Sequence, residues 1–275
     1  MDYLMEHEDE ITRLEKKTQK EAVLRQAGLA GIRPGMSVAD IGCGSGKTTA
    51  ILKSMVGPHG TAVGIDGSEE RIAYARKFHP ESQYIVHDLT TPLEGIGSFD
   101  FLWVRFFLEY HRTHAGQIVK NLCRVLNPKG ILCLIDLDYN SLTHYELPSD
   151  LHRALGGCMR HLEDRADFDP YAGRKLYSFL FDSGYRDIRV HMEAHHLIYG
   201  TLDPAEEENW EQKLDVAIHN SGYSFPELSG GFKEFRTRML AFLEERRRFS
   251  YTPLILCSGV KPEEGIDTSG QPGTA

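Results

Sequence analysis

The first half of the chain alternates short, almost unbroken apolar runs with amphipathic stretches. The runs are Ser37–Ile41, Thr61–Asp66, Tyr84–Asp88, Phe101–Val104 and Ile131–Asp136. A strand covered on both faces reads as continuously apolar rather than alternating, so these five runs predict parallel strands with helices packed on either side. Before the fifth run, Ile118, Leu122, Val125 and Leu126 recur at helical spacing, and Asn127-Pro128-Lys129-Gly130 ends that helix. Ahead of the first run, residues 9–30 lack proline and place Ile11, Leu14, Thr18 and Ala22 on one helical face, until Arg33-Pro34-Gly35 breaks the pattern.

Past Asp138 the rhythm changes. Helical patterns near 148–165 and 171–183 precede a strand-like run from Ile188 to Tyr199, and a last strand spans Pro253–Val260. Between these two strands lie two amphipathic patterns, Trp210, Leu214, Ala217, Ile218 and then Phe232, Phe235, Met239, Phe242, Leu243, which need a surface to bury against. The expectation is a doubly wound α/β fold around a mostly parallel sheet of seven strands. Its parts are an N-terminal helical segment (1–34), a core (35–200), a helical insertion or lid over the carboxyl edge of the sheet (201–250), the last core strand (251–261) and a disordered tail rich in Pro, Gly, Glu, Ser and Thr (262–275).

Composition narrows the partners. The 275 residues are 41% hydrophobic and 26% charged, an ordinary globular balance that can bury its own core. A formal net charge of -9 repels polyanions, so no nucleic-acid partner is expected. The five cysteines are scattered and form no C-x-x-C, which speaks for reduced thiols rather than disulfides or a zinc site. The acidic start Met1–Asp9 is unlike a signal peptide and no apolar stretch reaches membrane-spanning length, so the reading is cytoplasmic, without a membrane partner.

The strongest local signal is Val38-Ala39-Asp40-Ile41-Gly42-Cys43-Gly44-Ser45-Gly46-Lys47-Thr48, a strand entering a glycine-rich turn and then a helix. Glycines let the backbone approach a ligand, and the helix start offers unpaired N–H groups. A phosphate-binding P-loop would need glycine where Ile41 stands, and Asp40 would set a carboxylate beside the phosphates. A dinucleotide fingerprint would need Gly or Ala where Lys47 stands. A nucleoside bearing an amino acid on a sulfonium has no phosphate and welcomes carboxylates.

On these residues the chain resembles the class I S-adenosylmethionine-dependent methyltransferases, whose first motif is an acid two positions before G-x-G-x-G. The resemblance continues through Asp66, His87-Asp88-Leu89, Phe99–Arg105 with Leu108-Glu109-Tyr110, and Leu126–Ile131, covering roughly residues 30–140. The lead-in Leu29–Met36 is similar to small-molecule members such as the ubiquinone and menaquinone methyltransferases. The resemblance implies a Rossmann-like core and S-adenosyl-L-methionine as cofactor. It implies that Gly42, Cys43 and Gly44 line the methionine and ribose part while Asp40 orients the ammonium group. It further implies Asp66, with Gly67 after it, at the ribose hydroxyls, Asp88 and Leu89 at the adenine, and Arg105 at the methionine end.

The partner expected is a small-molecule methyl acceptor, attacked at O, N or C by in-line displacement. Of the candidate bases Tyr110, His111, Asp138, Tyr139 and His144, the two histidines rank first, although a histidine after an apolar strand is more often a satisfied loop residue. His195 and His196 would fall on opposite faces of a strand, and no metal is expected. The aromatics Trp210, Phe232, Phe235 and Phe242 are either simple core or an apolar cage for the acceptor, a reading that an open, polar cleft would overturn. The alternatives are a silent S-adenosylmethionine-binding protein of the same fold and, below it, a P-loop nucleotide hydrolase.

Overall fold

The computed structural model describes residues 11, 14–15, 18–219 and 221–263. The expected helix over 9–30 lies partly outside these residues, and the expected tail lies outside them from 264 onward. Within them the N-terminal helix is α1 (Lys20–Ala30), not one continuous helix, because Gln19 caps it with an extended backbone (φ -84°, ψ 115°). The core strands are β1 (Ser37–Ile41), β2 (Thr61–Asp66), β3 (Gln83–Val86), β4 (Phe99–Arg105) and β5 (Leu126–Leu137). They run parallel in the order β3-β2-β1-β4-β5.

Between them lie α2 (Lys47–Val56), α3 (Glu69–Phe78) and α4 (Ala115–Leu122). The remainder comprises β6 (His144–Tyr145), α5 (Ser149–Arg165), α6 (Ala172–Asp182), β7 (Arg186–Tyr199), α7 (Pro204–Gln212), a π-helical turn Lys213–Ile218, α8 (Gly231–Glu244) and β8 (Phe249–Val260). β8 is antiparallel to β5 and to β7. The sheet has eight strands rather than seven, the extra one being the two-residue β6, which pairs with the start of β8.

Burial explains the unbroken apolar runs. Ala39, Ile41, Leu102 and Val104 face one layer with Ile118 of α4 and Leu176 of α6. Val38, Phe101, Trp103 and Cys133 face the other, against Val23 and Ala27 of α1 and Leu52 of α2. Each fully buried large aliphatic contributes about 1.5–3 kcal/mol, and the two faces together hold the five strands. A separate core joins α5 to the insertion: Leu151, Leu155 and Met159 pack with Trp210, Leu214, Phe235, Met239 and Phe242. The insertion therefore shares its hydrophobic core with α5.

Candidate cofactor and acceptor cavity

At the carboxyl ends of β1, β2 and β4 the chain opens a cavity of about 1750 Å³. Ligand pockets usually occupy about 300–1,000 Å³, so there is room for two molecules. The glycine loop forms one wall. Gly42, Gly44 and Gly46 have φ of +73°, +55° and +85°, a backbone that L side chains rarely adopt. Both Gly42 N and Cys43 N donate to Ile65 O at the end of β2, which holds the turn against the next strand. A Cβ on Gly42 would sit 2.7 Å from the Phe107 ring. The absence of a side chain here is what lets the β4 loop cross the turn.

All nine positions that the motif reading assigned to the cofactor line this one cavity: Asp40, Gly42, Cys43, Gly44, Asp66, Gly67, Asp88, Leu89 and Arg105. Asp66 is buried and already accepts from Gly44 N and Ser68 N, each at 2.9 Å, with Arg71 Nε 3.4 Å away. A carboxylate offers about four acceptor positions, so two remain for a pair of hydroxyls. Asp88 is exposed and takes Thr90 N and Oγ1 on the single oxygen Oδ1, which leaves Oδ2 for an amino group. Those two bonds hold its carboxyl below the usual range.

Asp40 is buried and accepts from Thr49 Oγ1 at 2.7 Å. Burial drives its pKa up from the ordinary 3.8 to about 7; the Thr49 hydroxyl opposes this, Asp66 adds to it, and Arg105 counters it. Between those values the folded protein keeps a proton that the unfolded chain releases, so the contribution of this group to stability falls as pH rises through that window. Cofactor binding runs the other way. An ammonium group is held by the ionised form, so affinity for S-adenosylmethionine is expected to rise about tenfold from pH 6 to pH 8. Calorimetric titrations at both pH values check this, and Asp40→Asn is expected to flatten the difference.

Arg105 donates Nε to Gln26 Oε1 at 3.2 Å and lies 4.0 Å over the Phe106 ring. Burial lowers its pKa to about 10, against the pull of Asp40, Glu193 and Asp136, so it stays charged at neutral pH. Beside it Trp103, fully buried, lines the cavity with an Nε1–H that has no partner. Buried donors are normally satisfied, and a charged donor next to an orphaned one suits a carboxylate such as that of a methionine moiety. The glycine cradle, the ribose-type carboxylate and these donors fit S-adenosylmethionine. A nucleotide phosphate fits poorly, because Lys47 sends its ammonium to Glu15 O rather than into the cavity.

The candidate bases separate. His111 lines the cavity with its ring 4.4 Å from that of Phe107, and Tyr110 lines it as well. Burial lowers the His111 pKa; Asp167 opposes this, His114 adds to it, and Asp88 opposes it. The structure corrects the placement of His144, which is not among the lining residues. Its ring nitrogens meet Ser250 Oγ at 2.8 Å and Ser141 O at 2.9 Å, and the ring packs on Trp210 and Phe242. Burial pushes its pKa down to about 4, and its bonds tie β6 to β8. Asp138 is taken by a two-point ion pair with Arg174, and Tyr139 is exposed.

Two further readings change. His196 adopts φ +48° at a register shift in β7, so His195 and His196 both line the cavity instead of pointing to opposite faces. The bulge that does this leaves no trace in hydrophobic periodicity. Among the described residues no group of three His, Cys, Asp or Glu could hold a metal. The apolar cage also fails: Trp210, Phe235 and Phe242 are buried in the core shared with α5, while the insertion turns Asn209, Gln212 and Lys213 to the cavity. Glu109, buried beside the cavity with Asn140 Nδ2 on its Oε2 at 2.8 Å, was missed as a site residue; a lone acid inside the apolar stretch Phe106–Tyr110 was the available signal.

A methyltransferase-domain family model matches residues 39–134. The chain is 33% identical over 157 residues to an uncharacterized 37.1 kDa protein in transposon Tn4556 of Streptomyces fradiae, covering 56% of this chain and 44% of that one. It is 32% identical over 97 residues to trans-aconitate 2-methyltransferase of Escherichia coli, covering 35% and 37% of the two chains. The chain thus spans less than half the length of these curated relatives. A solved structure from Bacillus halodurans C-125 shares the fold over 88% of this chain and 99% of that one, at 16% identity and a TM-score of 0.57. Among the described residues no helix is long and apolar enough to cross a membrane. With the motif residues gathered in order around one cavity and a methyltransferase-domain model matching the same stretch, the chain carries a class I S-adenosylmethionine-dependent methyltransferase domain.

Proposed function

We propose that the protein transfers a methyl group from S-adenosylmethionine to O, N or C of a small polar molecule. The observation that carries this is one continuous cavity, whose glycine-loop end gathers the nine residues expected to meet the cofactor and whose other end, under the insertion, sets Asn209, Gln212 and Lys213 opposite apolar side chains such as Met159, Leu162 and Phe168. S-adenosylmethionine bound there supplies an electrophilic methyl group on a sulfonium. Asp66, Asp88 and Asp40 hold the nucleoside and amino-acid ends, and the Gly42–Gly44 backbone sets the depth at which they sit.

His111 is placed to take the proton that the acceptor loses. Its depressed pKa keeps the imidazole neutral at physiological pH and therefore able to accept. The insertion closes over the second molecule and excludes water from the transfer. Release of S-adenosylhomocysteine across a panel of small hydroxy, amino and carboxylic acceptors tests the reading. With the acceptor so found, His111→Gln is expected to lower kcat by about 10²–10⁴-fold while leaving S-adenosylhomocysteine affinity unchanged. Tight cofactor binding with no turnover on any class would favour the silent binding protein.

A further inference from the structure

α7 buries Trp210 in the core shared with α5 and turns Asn209 and Gln212 toward the cavity, where Lys213, the first residue of the π-helical turn, joins them. Asn209 is only 8% exposed, yet its Nδ2 meets no hydrogen-bond partner. A buried amide left without a partner is destabilising, so its retention at a cavity wall points to a ligand that completes it. Trp210 Nε1 is also unpartnered, but it lies away from the cavity and marks no ligand. Four residues along the helix from Asn209, Lys213 extends its ammonium to Ser141 Oγ at 3.2 Å, where the α-helix passes into the π-helical turn. Its ammonium also lies 5.0 Å over the Trp210 ring, and Asn209 and Lys213, four residues apart, supply an amide donor and a cation that both line the cavity. Glu206, on the same helix, is engaged at 3.0 Å by His196 Nδ1 on β7.

We infer that Asn209 and Lys213 of the insertion grip a carboxylate of the methyl acceptor, which makes Asn209 a specificity residue. This rests on the reading of the cavity as a methyl-transfer site. An amide and an ammonium together match an anionic, two-oxygen group, and neither would select an apolar or purely cationic acceptor. The carboxylate seats the acceptor under the insertion, and its nucleophilic atom is left to face the Gly42–Gly44 end.

The test uses the whole chain and needs no knowledge of the natural acceptor. Asn209→Leu removes the orphaned amide, so the ligand-free variant is expected to melt about 2–4 °C above wild type, with S-adenosylhomocysteine affinity unchanged within twofold. A lower melting temperature would make Asn209 a structural residue, and a tenfold loss of S-adenosylhomocysteine affinity would assign it to the cofactor; either overturns the inference. With S-adenosylhomocysteine saturating, malonate is the carboxylate probe and propylamine the control. Malonate is expected to raise the melting temperature of wild type but not of Asn209→Leu or Asn209→Asp, and propylamine to do nothing. No malonate shift in wild type, equal shifts in the variants, or a propylamine shift alone would overturn the carboxylate assignment. If wild type fails to bind S-adenosylhomocysteine, the methyl-transfer reading fails, while the ligand-free melting result still decides whether Asn209 is structural.

Discussion

Replacing Asp66 with alanine is expected to weaken S-adenosylhomocysteine binding by about a hundred- to ten-thousand-fold. The carboxylate stands at the end of β2 with two acceptor positions left for the ribose, and hydrogen bonds to a charged group are worth about 1.5–3 kcal/mol each. The loss compounds, because Gly44 N and Ser68 N, both 2.9 Å from the carboxylate, would lose their acceptor as well. Asp66→Asn keeps the shape but presents an NH₂ donor to one of those N–H groups, so it is expected to fall in the same range. Calorimetry reads both variants. His144→Ala serves as the control outside the cavity: it should lower the melting temperature by breaking the bonds to Ser250 and Ser141, and leave S-adenosylhomocysteine affinity as in wild type. An Asp66→Ala variant that binds as tightly as wild type would remove the carboxylate from the cofactor site.

Gly42→Ala is the second large effect. At φ +73° an L residue costs about 1–2 kcal/mol, and the new Cβ would lie 2.7 Å from Phe107 Cδ2, so the ring must move or the turn must open. The variant is expected to melt about 4–8 °C lower and to lose at least about tenfold in cofactor affinity. Gly28→Ala is the matched control, because Gly28 lies within α1 and its Cβ would meet nothing within 4 Å. There alanine should be neutral or slightly stabilising through helix propensity. Thermal melts with and without S-adenosylhomocysteine separate the two glycines, and equal behaviour would contradict the close approach of the Phe107 ring.

The parallel core was legible because its strands are buried on both faces. That burial writes itself into the sequence as unbroken runs such as Ile131–Asp136, and the same topology brings the ends of β1, β2 and β4 to one edge. The gathering of the expected cofactor residues along one cavity wall followed from this order of glycine turn and strand-end carboxylates. The rest of the wall was not legible. His196 reaches the cavity through a left-handed residue at a bulge, Glu109 through a 3₁₀ turn after β4, and Asn209 through the docking of α7 on α5. None of these leaves a periodic signal, since each depends on contacts between segments far apart in the chain. The same blindness explains the cage reading: Phe235 and Phe242 show that a helix is amphipathic, but which side of the cavity the stripe faces is set by tertiary packing.

The break at Gln19 was hidden for a related reason. Residues 19–30 carry no glycine or proline before Gly28, and helix propensity alone would carry the helix through. Thr18 and Gln19 instead line the cavity, so the chain leaves the helical path where it passes the site. The two-residue β6 is too short for any alternation to register; its pairing depends on β8 and on the His144 ring bonded to Ser250.

The account stands most directly on what the glycine turn binds. Purified protein would be titrated calorimetrically with S-adenosylmethionine, with S-adenosylhomocysteine and with ATP plus magnesium. The account predicts saturable micromolar binding of both adenosyl ligands and none of the nucleotide. Binding of magnesium-ATP alone would make the turn a phosphate cradle, despite Asp40 and the diverted Lys47, and would contradict the reading at its root.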